Sequence, residues 1–516
     1  MAASKGSVED LHELNLQIGL RAPEDPELQF LLPALYLALD PVGIPTPDQL
    51  ETMLLAPHTT SFAFIDVITT SFHCLIVIAG IPPEASLDLW PRAWKWFYFI
   101  HNHLELFPWA SSELSVYIGF ILLLGHLQTH EPTVALINAT DDVGFVIARA
   151  WRAFLAVPEL PDLVWRQVSA VIYPPANIQD YLGGVGGPTE LAAVVVDHIK
   201  QFSHSNSASS VFCLDKGLRF AWDIMFTHDW STMRRPLTTS LLAHGLVKAV
   251  CSALDILTAA MEETMGTIAL CINGLKIAFL NPPGYPSIIE ALKAGFLSHI
   301  VAYVGGLYPH IAVDDVKSLL TLILPPSTIY HSVLTEMKPA LMQVATLVTA
   351  DAFVKSPIFD DWKKFQRVAN DRIKVMEYFD SDEYEAALAC DNIECGEIFL
   401  RNEFHRCSGE VTEKLALPIG HFASPADPVP YSIRDKSFLR ELLHHDYKRS
   451  KPHIFVAQAM NLLEDMPLCT QFDYTGPLLV VSHHTTNDVA GQESDKVHPA
   501  YVQWTDLLYT EPGWTR

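Results

Sequence analysis

The sequence predicts a mainly α protein: a large all-helical region, then a short cysteine-bearing segment, then a small α/β-hairpin C-terminal part. Three observations carry this. Between about 27 and 350, apolar residues recur at steps of three and four, and period-two alternation is rare. Proline- and glycine-bearing breakers at 43–45, 81–83, 183–188, 282–284 and 325–326 sit between the helical stretches. Cys390, Cys395 and Cys407 then fall close together, whereas Cys74, Cys213, Cys251 and Cys271 lie scattered in apolar contexts and read as reduced core residues.

Taken in order, helices are expected at 27–39, 59–79, 86–104, 113–127, 143–156, 163–172, 191–202, 211–226, 238–259, 267–279, 288–307, 312–324 and 327–350. Such a series with short links suggests stacked pairs of the armadillo or HEAT kind, in which each pair buries its apolar face against the next. A single compact helical domain fits the same pattern. This domain spans 27–350, after a flexible N-terminus over 1–26. A connecting amphipathic helix comes next, within 351–386. Ser356 is expected to cap it, with Pro357 in its first turn. Ile358, Trp362, Phe365, Ala369, Ile373 and Met376 then line one face.

At 516 residues, 49% apolar and 18% charged, the chain can bury a core without metal or disulfides. A formal net charge of −25 argues against broad nucleic-acid binding, which needs Lys and Arg to neutralise phosphate. The locally basic stretch of Arg434, Lys436, Arg440, Lys448, Arg449 and Lys451 is interrupted by Asp435, Glu441 and Asp446, and reads as a solvated helix face. No basic start followed by an apolar run is evident at the N-terminus, so an intracellular, cytoplasmic or nuclear location is expected rather than secretion. The stretch 59–80 has the length of a membrane span but contains Asp66 and His73. Each would cost roughly 2–3 kcal/mol at mid-membrane. A buried helix is the better reading, and no membrane partner is expected.

Two features in the helical region look chemical. The glycine-rich run at 182–189, LGGVGGPT, precedes a helix but lacks both a full dinucleotide fingerprint and a phosphate-loop lysine, so it reads as a turn. His101 and His103 diverge by about 200° on a helix and are weak metal candidates. No serine-hydrolase elbow, metalloprotease helix, phosphate loop or kinase signature is present.

Structural zinc wants four thiolates or imidazoles, usually in close pairs. Cys390-x4-Cys395 can grip one ion from a short turn, and Cys407 arrives later, but Glu410 stands where a knuckle would need a further sulfur. The run ACDNIECG…FHRCSG resembles the first half of a MYND-type zinc finger, as found in many fungal proteins that join such a finger to a long helical region. RDKSFLRELLHHDYKRSKPHIF, 434–455, and FDYTGP, 472–477, resemble the segment downstream of the finger in those proteins.

The resemblance implies two cross-braced zinc ions, with Cys390 and Cys395 as the first cysteine pair and Cys407 opening the second. The partner of Cys407 is replaced by Glu410, and the remaining cysteine and histidine pairs are absent, as if the second half had been deleted. The finger is therefore partial, over 387–412, with 413–430 as linker. Zinc is the expected cofactor, weakly and incompletely held at Cys390, Cys395 and Cys407.

Beyond it, 431–483 should hold two helices and a β-hairpin made of 468–474 and 478–482, with a flexible tail over 484–516. His444-His445-Asp446 reads as a polar helix face. The function expected is a non-enzymatic protein–protein interaction scaffold with protein partners. The alternatives are a cysteine- or metal-dependent enzyme using the C-terminal region, with Cys469 and His483 or His484 as a thiol–imidazole pair, or an integral membrane protein through 59–80.

Overall fold

The computed structural model describes residues 26–55, 63–78, 81–106, 113–157, 159–172, 177–226, 231–259, 264–281, 284–305 and 312–382, most of 432–450, and isolated positions near the N-terminus. For 387–389, 398–400, 468–473 and 480–485 it describes the backbone. The expected N-terminal stretch, linker and tail lie largely outside these residues. The described architecture is helical, with two short antiparallel strand pairs in the C-terminal part. The chain divides into two compact units, Met1–Leu246 and Val247–Arg516. That division falls within 27–350.

The first unit contains α1 (Leu32–Ala38), α2 (Pro47–Leu55), α3 (Ala63–Val77), α4 (Pro83–Asn102), α5 (Glu113–Leu127) and α6 (Glu131–Asn138). Next come α7 (Val143–Leu155), α8 (Asp162–Ile172), α9 (Ile178–Val185), α10 (Pro188–Phe202), α11 (Ala208–Phe226) and α12 (Ser231–Ala243). Of these, α2, α6 and α9 lie where no helix was expected. On α7, Val143, Val146, Ile147, Ala150, Trp151 and Phe154 are buried, one continuous helical stripe. At the α4–α5 contact, the rings of Phe97 and Phe120 stack with centroids 3.8 Å apart. Trp90 donates to Thr140 Oγ1 at 2.9 Å, so the indole body is buried without orphaning its N–H.

The glycine-rich run is only half a turn. Leu182, Gly183, Gly184 and Val185 finish α9, and Gly186, at φ +106°, ends it in the left-handed conformation that favours glycine. Gly184 serves a different need: α9 lies so close to α7 that a Cβ there would collide with the Phe145 carbonyl oxygen. Within 59–80, Ala63–Val77 forms α3, of 15 residues, and no single described helix is long and apolar enough to cross a membrane.

At the centre of this unit, α7, α10 and α11 meet around His198, whose side chain is fully buried. Trp151 Nε1 donates to its Nδ1 at 3.1 Å, and its Nε2 faces the Cys213 carbonyl oxygen at 3.0 Å. An indole N–H can only donate, so Nδ1 must accept and Nε2 must carry the proton. The ring is neutral with both nitrogens satisfied. Burial pushes its pKa down to about 4, against a smaller raising effect of the bond to Cys213.

The second unit begins one residue into α13 (Leu246–Ala259) and continues with α14 (Met265–Leu280), α15 (Gly284–Lys293), α16 (Phe296–Val304) and α17 (Val313–Ser318). A π turn over Leu319–Ile323 leads to α18 (Leu324–Ser327), α19 (His331–Val344), α20 (Asp351–Val354) and α21 (Phe359–Phe379). The region expected as one helix at 288–307 is two, bent by 73° where Gly295 adopts φ +81°. The stretch 238–259 likewise breaks at Gly245, φ +84°. Both glycines act as helix stops that the apolar period runs straight through.

The expected cap on α21 is also corrected. The helix starts at Phe359, its N-cap Ile358 makes no side-chain cap bond, and buried Ser356 Oγ has no hydrogen-bond partner. The apolar face is as expected: Ile358, Trp362, Phe365, Ala369, Ile373 and Met376 are all buried. Packing, rather than a hydroxyl cap, sets where this helix begins.

Measurable outcomes are expected from these contacts. In the unfolded chain His198 takes up a proton near pH 6.5, but in the fold only near about 4, so stability is lost as pH falls through that window. Urea unfolding monitored by tryptophan fluorescence should show a loss of about 2–3 kcal/mol between about pH 7 and about 4.5 from this group, and His198→Asn should lose less. Gly184→Ala should destabilise by about 1–3 kcal/mol through overpacking. Gly119→Ala, in α5 where a Cβ meets nothing within 4 Å, should instead stabilise by about 0.5–1 kcal/mol.

Candidate functional site

Cys390, Cys395 and Cys407 lie outside the described residues, but the chain around them has a defined base. Strand β1 (Ala387–Ala389) pairs antiparallel with β2 (Ile398–Leu400), with Ala389 opposite Ile398. Cys390 and Cys395 are therefore carried by the connection between two paired strands. Upstream, α21 ends at Phe379, and Asp380 comes directly after it. Downstream, the described residues of 434–450 are helical.

These two flanks meet. Asp380 Oδ1 accepts from Arg434 at 2.6 Å, and the same carboxylate is held by His331 Nε2 at 2.9 and 3.0 Å. Phe438, fully buried, sits against the rings of His331 and Phe379, with centroids 5.6 and 5.7 Å away. Asp435 reaches the first turn of α19, where it accepts from Ser332 N at 3.0 Å and Ser332 Oγ at 3.1 Å. A carboxylate is favoured there, because the first turn of a helix leaves backbone N–H groups without intrahelical partners. Ser432 completes the seat: its hydroxyl donates to Asp435 Oδ2 at 2.6 Å and accepts from Asp435 N at 3.0 Å. That exchange is a capping arrangement at the start of the 434–450 helix.

The clasp corrects two expectations. On the basic stretch, Arg434, Lys448 and Arg449 are exposed as a solvated face requires. The interrupting acids are not: Asp435, Glu441 and Asp446 are 4%, 9% and 8% exposed. They share the inward side with Phe438, Leu442 and Leu443. His444-His445-Asp446 is therefore not a uniformly polar outer face. Asp446 is buried and His445 Nδ1 lies 3.3 Å from it. Burial pushes the His444 imidazole pKa down, with Lys448 and His445 adding to the effect.

Burial raises the Asp380 pKa, but hydrogen bonds from Arg434 and His331, and their charges, outweigh that and hold it below its ordinary value. The clasp's contribution is thus present above about pH 4 and lost as acid protonates the carboxylate.

Thr335, His331 and Asp380 have the residue types of a hydroxyl–imidazole–carboxylate triad, with Thr335 Oγ1 3.4 Å from His331 Nδ1. The arrangement is structural. The threonine hydroxyl donates to the His331 carbonyl at 2.9 Å within the helix, and the imidazole is 7% exposed under Phe438.

Other imidazoles and the thiols of the helices are also taken up by packing. His101 faces Tyr117 OH through Nδ1 at 3.3 Å, and burial pushes its pKa down to about 4, with Arg149 adding to the effect. His103 turns away to the Phe99 carbonyl oxygen at 2.8 Å, so the two do not converge on a metal. Cys74, Cys213, Cys251 and Cys271 are buried. Among the described residues, no group of three or more His, Cys, Asp or Glu side chains has the arrangement of a metal site.

The sequence reading missed Asp380, His331 and Asp435, which come together from three separate stretches. One local signal was available, since Ser432-x-x-Asp435 has the spacing of a capping pair. Comparison with protein-family models, curated proteins and solved structures finds no match to this chain.

The clasp's parts differ in strength. Phe438→Ala should cost about 3–5 kcal/mol of docking, because it empties a sealed aromatic site. Arg434→Ala should cost about 0.2–1 kcal/mol, since Arg434 is 62% exposed and screened. Amide hydrogen exchange over 437–446 checks this: protection should collapse in the first variant and change little in the second.

Proposed function

We propose that the protein is a non-enzymatic protein–protein interaction scaffold, intracellular, with a partial MYND-type segment that binds zinc incompletely through Cys390, Cys395 and Cys407. The observation that carries this reading is the clasp. Asp380 and Arg434 stand on either side of the cysteine-bearing segment and are joined at 2.6 Å. The two ends of the segment are thus tied together within the helical part of the second unit.

The helical body supplies the contact surface in this reading. A long series of helices joined by short links supports a stacked-pair arrangement of the armadillo or HEAT kind, and such stacks present extended faces to protein partners. His101, His198, Cys74, Cys213, Cys251 and Cys271 are buried in the core, which supports packing roles for them. Zinc held by two matched sulfurs at one site and one at the other lacks the four-ligand cage of a structural site, so its affinity is low.

Native mass spectrometry of the full chain should find at most one zinc ion, removable by chelator with no change in helical circular dichroism. Two ions surviving the chelator would refute incomplete binding. Partner capture by a chain lacking 388–412 should match that of the intact chain, and loss of capture would move recognition from the helices to the cysteine segment.

A further inference from the structure

The C-terminal strand pair sets a register that local sequence leaves open. Strand β3 (Leu468–Asp473) runs antiparallel to β4 (Val480–Thr485). Cys469 is paired with His484, Thr470 with His483, and Gln471 with Ser482. Residues directly opposite one another in an antiparallel pair occupy the same face, and successive residues alternate faces. Of the two adjacent histidines, His484 therefore shares the face of Cys469, together with Gln471 and Ser482. His483 belongs to the other face, with Thr470.

Directly opposed positions have Cβ atoms about 4.5–5.5 Å apart, a separation at which an imidazole can take up a thiol's proton and its positive charge can favour the thiolate. The thiolate is the nucleophilic form of cysteine. The same face also carries a carboxamide and a hydroxyl residue, and no lysine or arginine lies in either strand to supply that charge instead.

We propose that Cys469 and His484 form a thiol–imidazole pair that makes Cys469 a reactive site for exchange with small disulfides of the glutathione class. The Cys469 proton passes to the His484 imidazole. The thiolate attacks one sulfur of the disulfide, the S–S bond breaks, and a mixed disulfide forms at Cys469. The other sulfur leaves as a thiolate and receives the proton back from the imidazolium. Cys469 is oxidised and the departing sulfur reduced, so no further oxidant is needed. This modification site is independent of the scaffold reading, because neither the helical surface nor Cys390, Cys395 and Cys407 take part.

The test treats the full chain with oxidised glutathione from about pH 5.5 to about 9 and quantifies the mixed disulfide on the Cys469 peptide by mass spectrometry. Cys74 and Cys213 provide unreactive internal standards, because both are buried and burial pushes their thiols up to about 12 and about 11. The Cys469 rate should reach half its maximum about one pH unit below the ordinary thiol value of about 8.5. His484→Ala should return that midpoint to about 8.5 and lower the rate at about pH 6.5 roughly threefold, the gain in thiolate being partly offset by its lower nucleophilicity.

His483→Ala should leave the profile unchanged. His484→Lys, which restores a cation at the same register position, should keep the midpoint low and thereby separates a charge effect from loss of the strand pair. An unshifted midpoint in the unmodified chain overturns the proposal. So does an equal effect of the two alanine variants, or a failure of lysine to restore the midpoint.

Discussion

A polar side chain carried into an apolar helical interface costs about 1–3 kcal/mol for each group left without a partner, and that constraint shapes both units. His198 meets it by accepting from Trp151 and donating to Cys213, which ties α7, α10 and α11 through a single ring. Gly217 belongs to the same solution, because a Cβ there would sit 2.5 Å from the His198 ring. In the second unit, Arg372 is buried on α21 and donates to the Pro325 carbonyl at 2.9 Å and to Thr328 Oγ1 at 2.5 Å. Those acceptors lie at the C-terminal end of α18. Asp435 is the third case, seated on the first turn of α19.

The energetic weight nevertheless lies in apolar contact. The ion pairs at one-turn spacing, such as Lys363 with Asp360 and Lys374 with Asp371, are exposed and worth a few tenths of a kcal/mol at most. Phe438 between two rings outweighs the Arg434–Asp380 pair above it. The polar groups of the clasp act as a register device: they decide which turn of the 434–450 helix meets α19, while the phenylalanine supplies the binding.

Much of the helical pattern could be read locally. The stripes on α7 and α21 came out as the apolar spacing required, because a helix face is determined by residues three and four apart. Ends were less legible. Gly245 and Gly295 lie inside apolar runs that continue on both sides, so the period conceals the stop. Ser356 before Pro357 has the letters of a cap, yet α21 starts later because Ile358 and Trp362 are drawn into the core. Gly184 looked like part of a loop, although its reason for being glycine is the carbonyl of Phe145 on a different helix.

The amino-acid sequence by itself determined that the chain is mostly helical, which faces are apolar, and that three cysteines cluster without a fourth. Each of these depends on near neighbours along the chain. Only the tertiary structure decided that Asp435, Glu441 and Asp446 face inward, that His331 holds Asp380, and that Cys469 stands opposite His484 rather than His483. A charged letter in a basic stretch reads as solvent-facing because water is the ordinary partner for charge. Asp435 departs from that rule only because the unpaired N–H groups of α19, about a hundred residues earlier, are placed beside it by packing that no local window contains.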